Sequence, residues 1–81
     1  MTEEELEKVI KGFLRGGEKR YSIYPPGERV TWYYDKSKKC VCQRVQSLSD
    51  EYINTYTDTQ IREYLRGMEY EDWKEVSLYR L

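Results

Sequence analysis

The sequence predicts an α+β domain in which a small antiparallel sheet of three to five strands carries two helices, about 3–15 and about 58–66, on one face. Two segments have the apolar spacing of amphipathic helices, and each begins with a capping-box pattern. Between them, β-branched and aromatic residues alternate with polar ones, which is typical of strands. Because 81 residues fit one domain, we assign residues 1–81 to a single domain.

The first helix is indicated by its start, its apolar face and its end. Thr2 and Glu5 form a capping box, in which each side chain accepts a hydrogen bond from the other residue's backbone amide. Apolar residues then follow at the spacing of one helical face: Leu6, Val9, Ile10, Phe13 and Leu14. Gly16 and Gly17 end the helix, because glycine adopts the left-handed conformation without steric cost.

Three strands are expected in the middle of the chain, at 19–24, 29–34 and 40–46. Pro25-Pro26-Gly27 separates the first two, since proline cannot donate a hydrogen bond to a sheet ladder. The polar residues 35–39 have the length of a hairpin loop. Alternation places three residues of the second strand on one face, which we expect to belong to the core: Val30, Trp32 and Tyr34.

Residues 47–57 have two interpretations. Ser49 could cap a short helix that begins at Asp50. Alternatively, residues 51–57 alternate in the manner of a strand, and their β-branched content favours this interpretation. We therefore expect a fourth strand before the second helix.

The C-terminal part is predicted to hold the second helix and a closing strand. Thr57 and Gln60 form another capping box, and helical apolar spacing continues from there until Gly67 marks the stop. Residues 73–81 are expected to form a strand, and a short helix around Asp72 is the alternative.

The composition argues against an enzyme. The chain has no histidine, which removes the commonest general base and the commonest neutral metal ligand. Cys40 and Cys42 are the only cysteines, whereas a structural zinc site usually takes about four ligands. No glycine-rich phosphate loop opens a helix. We therefore predict no catalytic residues, no metal and no cofactor.

The start of the chain and its cysteines predict a cytoplasmic protein. The acidic first residues lack the basic and apolar parts of a secretory signal. No segment has the roughly 18 consecutive apolar residues of a membrane span, so no membrane association is expected. Two cysteines one residue apart do not make a disulfide framework, which is consistent with a reducing compartment.

Charge is unevenly distributed along the chain. Residues 19–46 carry seven bases and two acids, whereas residues 47–81 carry eight acids and four bases. Such segregation bears on binding partners and association rates, and it indicates two candidate binding faces. We assign an acidic, aromatic face to a protein partner: Tyr52, Tyr56, Glu69, Tyr70, Glu71, Asp72 and Glu75. We assign a basic, aromatic face to single-stranded nucleic acid: Tyr24, Tyr33, Lys36, Lys38, Lys39 and Arg44.

The leading hypothesis is a non-enzymatic protein-interaction module that binds a basic surface of a larger protein. In size, acidity and lack of an active site, the chain is similar to small phage- or mobile-element-encoded inhibitors of host nucleic-acid-handling proteins, among them anti-CRISPR proteins. The alternative is a single-stranded nucleic-acid-binding domain that combines cations with aromatic rings on the basic hairpin. A thin core and an unpaired sheet edge are compatible with either a monomer or a homodimer.

Overall fold

The computed structural model describes residues 1–23 and 27–76, the last two by their backbone alone. The elements follow one another as α1 (Glu3–Leu14), β1 (Lys19–Ile23), β2 (Glu28–Asp35), β3 (Cys40–Gln46), β4 (Glu51–Tyr56), α2 (Asp58–Arg66) and α3 (Tyr70–Val76). The four strands form one antiparallel sheet in the order β1-β2-β3-β4, and the helices pack on one face of it. This arrangement confirms the predicted α+β class.

Helix α1 begins and ends where its sequence predicts. Thr2 Oγ1 accepts a hydrogen bond from the Glu5 amide at 3.1 Å, and the Glu5 carboxylate accepts one from the Thr2 amide at 2.8 Å. Gly16 follows the helix with a φ of 88°, and the Gly17 amide donates to the Gly12 carbonyl. A Cβ at Gly17 would lie 2.8 Å from that oxygen, so the turn requires glycine at both positions.

The buried face of α1 is narrower than its apolar spacing predicts. Leu6, Ile10 and Phe13 are buried, whereas Leu14 is 53 % exposed. Leu14 lies in the last helical turn, at the rim of a cavity that Phe13 also lines. Its assignment to the buried face is wrong, because the helix ends at this residue and the chain turns away at Gly16.

The sheet places the expected core residues on the face that the helices cover. In the β2–β3 register, Val30 lies opposite Val45 and Tyr34 lies opposite Val41. Trp32 lies between them on the same face and is 1 % exposed. The predicted alternation of β2 is therefore confirmed.

Strand β4 decides between the two interpretations of residues 47–57. Its residues pair antiparallel with β3 over the whole range from Glu51 to Tyr56. A tight turn precedes it, in which the Ser47 amide donates to the Asp50 carbonyl at 2.8 Å. The strand interpretation is confirmed, and helix α2 follows with the expected capping box.

The segment after α2 differs from the expected strand. Residues 70–76 form helix α3, in which the Trp73 amide donates to the Glu69 carbonyl at 3.1 Å. The predicted strand is therefore wrong over residues 73–76, and the short helix around Asp72 is confirmed. Residues 77–81 lie outside the described part of the chain.

Packing of one large side chain explains this helix. Trp73 is 7 % exposed, and its ring lies edge-on to Phe13 and Trp32 with centroid separations of 6.1 and 5.7 Å. A single helical turn is enough to bury one aromatic ring against the core. A strand would instead need backbone partners along its length.

The β2–β3 loop is held by one carboxylate. Asp35 Oδ1 accepts hydrogen bonds from the Ser37 hydroxyl at 2.7 Å, the Ser37 amide at 3.0 Å and the Lys38 amide at 3.1 Å. The hydrogen bond from the Ser37 side chain is the main cause that holds the pKa of Asp35 below its usual value, and the Lys38 amide adds to it.

Asp35→Ala should lower the stability of the fold at neutral pH, and the loss should shrink in acid. Because the pKa of Asp35 is lower in the folded chain than in the unfolded chain, the ionised carboxylate stabilises the fold at pH values above its unfolded-state pKa. This contribution is lost as the pH falls through the folded-state pKa. Urea unfolding of both proteins over a series of acidic pH values measures the difference, and a difference independent of pH would contradict the prediction. In Ser37→Ala, an NMR titration should find the pKa of Asp35 closer to its usual value.

Candidate binding surface

The sheet has a second face, which no described helix covers. Because successive side chains of a strand point to opposite faces, the side chains that point away from the core lie on this second face. We call this the open sheet face, and its residues on the four strands are Arg20, Ser22, Arg29, Thr31, Tyr33, Asp35, Cys40, Cys42, Arg44, Gln46, Glu51, Ile53 and Thr55. The strand register aligns Arg20, Thr31 and Arg44 in one row across three strands. Arg29 and Gln46 lie side by side in the neighbouring row.

Three arginines surround a depression on the open sheet face. Its volume is about 410 Å³, and it is lined by Glu18, Arg20, Arg29, Thr31, Tyr33, Arg44 and Gln46. Arg20 comes from β1, Arg29 from β2 and Arg44 from β3. The folded sheet thus converts cations that are far apart in the sequence into one positively charged concavity.

Two of these arginines have acidic neighbours at the rim of the depression. The guanidinium of Arg20 lies 2.7 Å from the Glu18 carboxylate, and that of Arg44 lies 3.9 Å from the Glu51 carboxylate. Both pairs are exposed, so they are weak and screened by salt. Arg29 is exposed and forms no ion pair with another residue of the described ranges 1–23 and 27–74.

Tyr33 adds a half-buried aromatic ring to the depression. The Arg44 guanidinium carbon lies 5.5 Å from the centroid of this ring, a cation–π distance. Burial, and secondarily the neighbouring Cys42 thiol, raises the pKa of the Tyr33 hydroxyl. The phenol is therefore neutral at physiological pH and does not repel an anion.

The residues assigned from the sequence to nucleic acid fall into three groups. Tyr33 and Arg44 lie together on the open sheet face. Lys36, Lys38 and Lys39 are exposed in the β2–β3 loop at one end of the sheet. Tyr24 lies outside the described residues. The assignment omitted Arg20 and Arg29, although alternation with the core residues Tyr21 and Val30 could have placed both on the same face as Tyr33.

The basic segment also contains a lysine that the structure buries. Lys19 is 9 % exposed, and its Nζ donates to the Trp73 carbonyl at 2.5 Å. The same atom lies 4.2 Å from the centroid of the Trp73 ring. Lys19 therefore holds α3 against β1, on the helix side of the sheet.

The residues assigned to a protein partner do not converge on one surface. Tyr52 is 48 % exposed on β4. Tyr56 is half-buried, because its ring packs against Trp32 and Tyr64 at centroid distances of 5.5 and 5.8 Å. Burial raises the pKa of Tyr56 as well. Tyr56 thus contributes to the aromatic core more than to an exposed surface.

The acidic half of that set lies at α3. Glu69, Glu71 and Asp72 are exposed, and Tyr70 carries the Lys74 ammonium 5.2 Å from its ring centroid. Helix α3 contacts β1, the strand farthest from β4 in the sheet order. The side chain of Glu75 lies outside the described residues.

The two cysteines lie at the end of the open sheet face. Their sulfur atoms are 3.9 Å apart, and Cys42 is 1 % exposed. Burial, and then the neighbouring Cys40, raises the pKa of the Cys42 thiol, which disfavours the thiolate that metals bind. Among the described residues, no group of three or more histidine, cysteine, aspartate or glutamate side chains could hold a metal ion.

The described helices include none that is long and apolar enough to cross a lipid bilayer. No protein-family model matches the chain, and neither a curated protein nor a solved structure is significantly similar to it.

Proposed function

We propose that this chain is a non-enzymatic binding domain whose open sheet face holds single-stranded nucleic acid. The observation that carries the proposal is that Arg20, Arg29 and Arg44, from three neighbouring strands, line one depression together with Tyr33, whose ring Arg44 contacts. Guanidinium groups form strong hydrogen bonds with phosphate oxygens. The neutral ring and the arginine planes offer surfaces on which bases can stack.

The fold suits this kind of ligand. Antiparallel sheets with helices on one face leave the other face available, and single strands whose bases are unstacked can lie across such a face. The loop lysines Lys36, Lys38 and Lys39 extend the positive charge beyond the depression. The overall charge of −1 does not oppose nucleic-acid binding. Charges more than about 10 Å away are largely screened by salt, so a bound phosphate interacts mainly with the positive charges near it.

Fluorescence anisotropy with a labelled single strand of about ten nucleotides tests the proposal at several salt concentrations. The triple variant Arg20→Gln, Arg29→Gln, Arg44→Gln should bind at least about 100-fold more weakly at low salt, and its salt slope should fall by about 2, since each single-strand phosphate contact contributes about 0.7. A matched variant with Lys8→Gln, Lys11→Gln and Arg15→Gln removes the same charge from α1 and its C-cap and should retain most of the affinity. Absence of wild-type binding at low salt, or equal losses in both variants, would refute the proposal.

Stacking is tested by Tyr33→Leu, which keeps an apolar side chain and removes the ring. We expect affinity to fall by roughly tenfold, the lower end of the stacking contribution of about 1–3 kcal/mol per base. The salt slope should remain unchanged, because no cation is removed. A change in slope without a change in affinity at low salt would argue against stacking.

The second candidate function is binding of a protein that has a basic surface. The similarity to small inhibitors of nucleic-acid-handling proteins implies such a partner. The exposure of Glu69, Glu71 and Asp72 favours it, since exposed acids can steer a basic partner. Affinity purification from the native host would compare the wild type, the arginine triple variant and a variant with Glu69→Ser, Glu71→Ser and Asp72→Ser. A protein retained by the arginine variant but lost from the serine variant would support this candidate. A nucleic acid lost only from the arginine variant would support the first.

A further inference from the structure

The outer edge of β4 carries backbone groups that no described strand pairs with. The Ser47 amide donates to the Asp50 carbonyl, so these residues form a hydrogen-bonded pair at the start of the hairpin. Hydrogen-bonded and non-hydrogen-bonded pairs alternate along antiparallel strands. The N–H and C=O groups of three β4 residues therefore point away from β3: Glu51, Ile53 and Thr55.

This edge also concentrates exposed apolar surface. Ile53 is 46 % exposed, and the neighbouring Leu48, Tyr52 and Tyr64 are exposed as well. Edge strands of soluble proteins are commonly protected by charged side chains, proline or a bulge. Strand β4 has no proline and no bulge, and its single charged residue, Glu51, lies at its start. The edge is therefore suited to pair with another extended strand.

We propose that β4 pairs antiparallel with β4 of a second copy of this chain, about a two-fold axis that passes through Ile53. This proposal does not depend on the proposed function. Centring on Ile53 uses every outward-pointing residue, because Glu51 of each copy lies opposite Thr55 of the other. The Glu51 amide donates to the exposed Asp50 carboxylate at 2.9 Å, and pairing replaces this contact with the Thr55 carbonyl of the other copy. A register shifted towards the C-terminus would use Thr57, whose amide already donates to Gln60 and whose carbonyl accepts from Ile61.

Charge favours a second copy as the occupant. Glu51 is the only charged residue of β4, and in this register it meets the neutral Thr55. The two Glu51 residues are about 14 Å apart along the strands, which exceeds the screening length of about 8 Å. Self-pairing thus brings no like charges together, and the two open sheet faces lie on the same side of one continuous sheet.

Sedimentation velocity over a range of protein concentrations tests the dimer. Ile53→Lys places two ammonium groups at the axis and should weaken dimerisation by more than about tenfold. Ile23→Lys is the matched control, since Ile23 is 40 % exposed on the other edge strand, β1, and it should leave the dimer intact. A wild type that stays monomeric up to about 1 mM, or a dimer lost in Ile23→Lys and kept in Ile53→Lys, would overturn the proposal.

Cross-linking tests the register separately, in a background with Cys40→Ala and Cys42→Ala. Ile53→Cys should form an intermolecular disulfide, because the Cα atoms of a hydrogen-bonded antiparallel pair are about 5.5 Å apart, within disulfide range. Thr55→Cys should not, since its two copies would be about 14 Å apart. Cross-linking through Thr55→Cys and not through Ile53→Cys would refute this register.

Discussion

Trp32→Ala should lower the free energy of unfolding by about 3–5 kcal/mol and leave much of the chain unfolded at room temperature. Trp32 is 1 % exposed, and its ring contacts three other rings: Tyr56, Tyr64 and Trp73. Alanine would leave a cavity that these rings cannot fill together. A domain of this size has a total free energy of unfolding of only about 5 kcal/mol, so the substitution would remove most of it.

Urea unfolding followed by far-ultraviolet circular dichroism measures this effect. The control is Leu14→Ala, which truncates a largely exposed apolar side chain and should change the stability by less than about 0.5 kcal/mol. Equal unfolding midpoints for Trp32→Ala and Leu14→Ala would show that the ring cluster is not the centre of the core.

Lys19→Met should destabilise the fold by about 1–3 kcal/mol and loosen α3. Methionine retains an apolar stem of similar length, but it cannot donate to the Trp73 carbonyl or lie as a cation near the Trp73 ring. Because the carbonyl is at α3, the loss should fall mainly on the attachment of that helix to β1.

Amide hydrogen exchange, together with urea unfolding, locates the effect. Amides of residues 70–76 should exchange faster in Lys19→Met, while those of β2 and β3 should change less. Lys11→Met makes the same replacement at an exposed position of α1 and should affect neither. Uniformly faster exchange across the sheet would indicate a general loss of stability instead of a local release of α3.

Strand alternation alone can place some residues of the candidate site on one face of the sheet. Alternation about Trp32 places Tyr33 on the face opposite the core, and the same rule applied to β1 places Arg20 there. The depression itself depends on register, because Arg20 and Arg44 become neighbours of Thr31 only through two separate hairpins. Register is set by turn geometry and by packing of the buried face, which alternation within one strand does not contain.

The acidic segment illustrates the opposite case. Local composition grouped Tyr56 with Glu69, Glu71 and Asp72 because they follow one another in the sequence. In the folded chain Tyr56 packs against Trp32, and the acids lie on a helix that contacts β1. Proximity in sequence does not fix proximity in space once α2 intervenes between them.

Features that depend on neighbouring residues were determined by the sequence itself. Both capping boxes, the glycine stop after α1 and the two faces of β2 follow from hydrogen bonds and steric preferences within a few residues. The tertiary structure alone decided that Trp73 lies in a helix, that Lys19 is buried and that the outer edge of β4 is left without a described partner. These outcomes depend on which distant surfaces meet, and the free energy of such contacts comes from burial and pairing that no local pattern encodes.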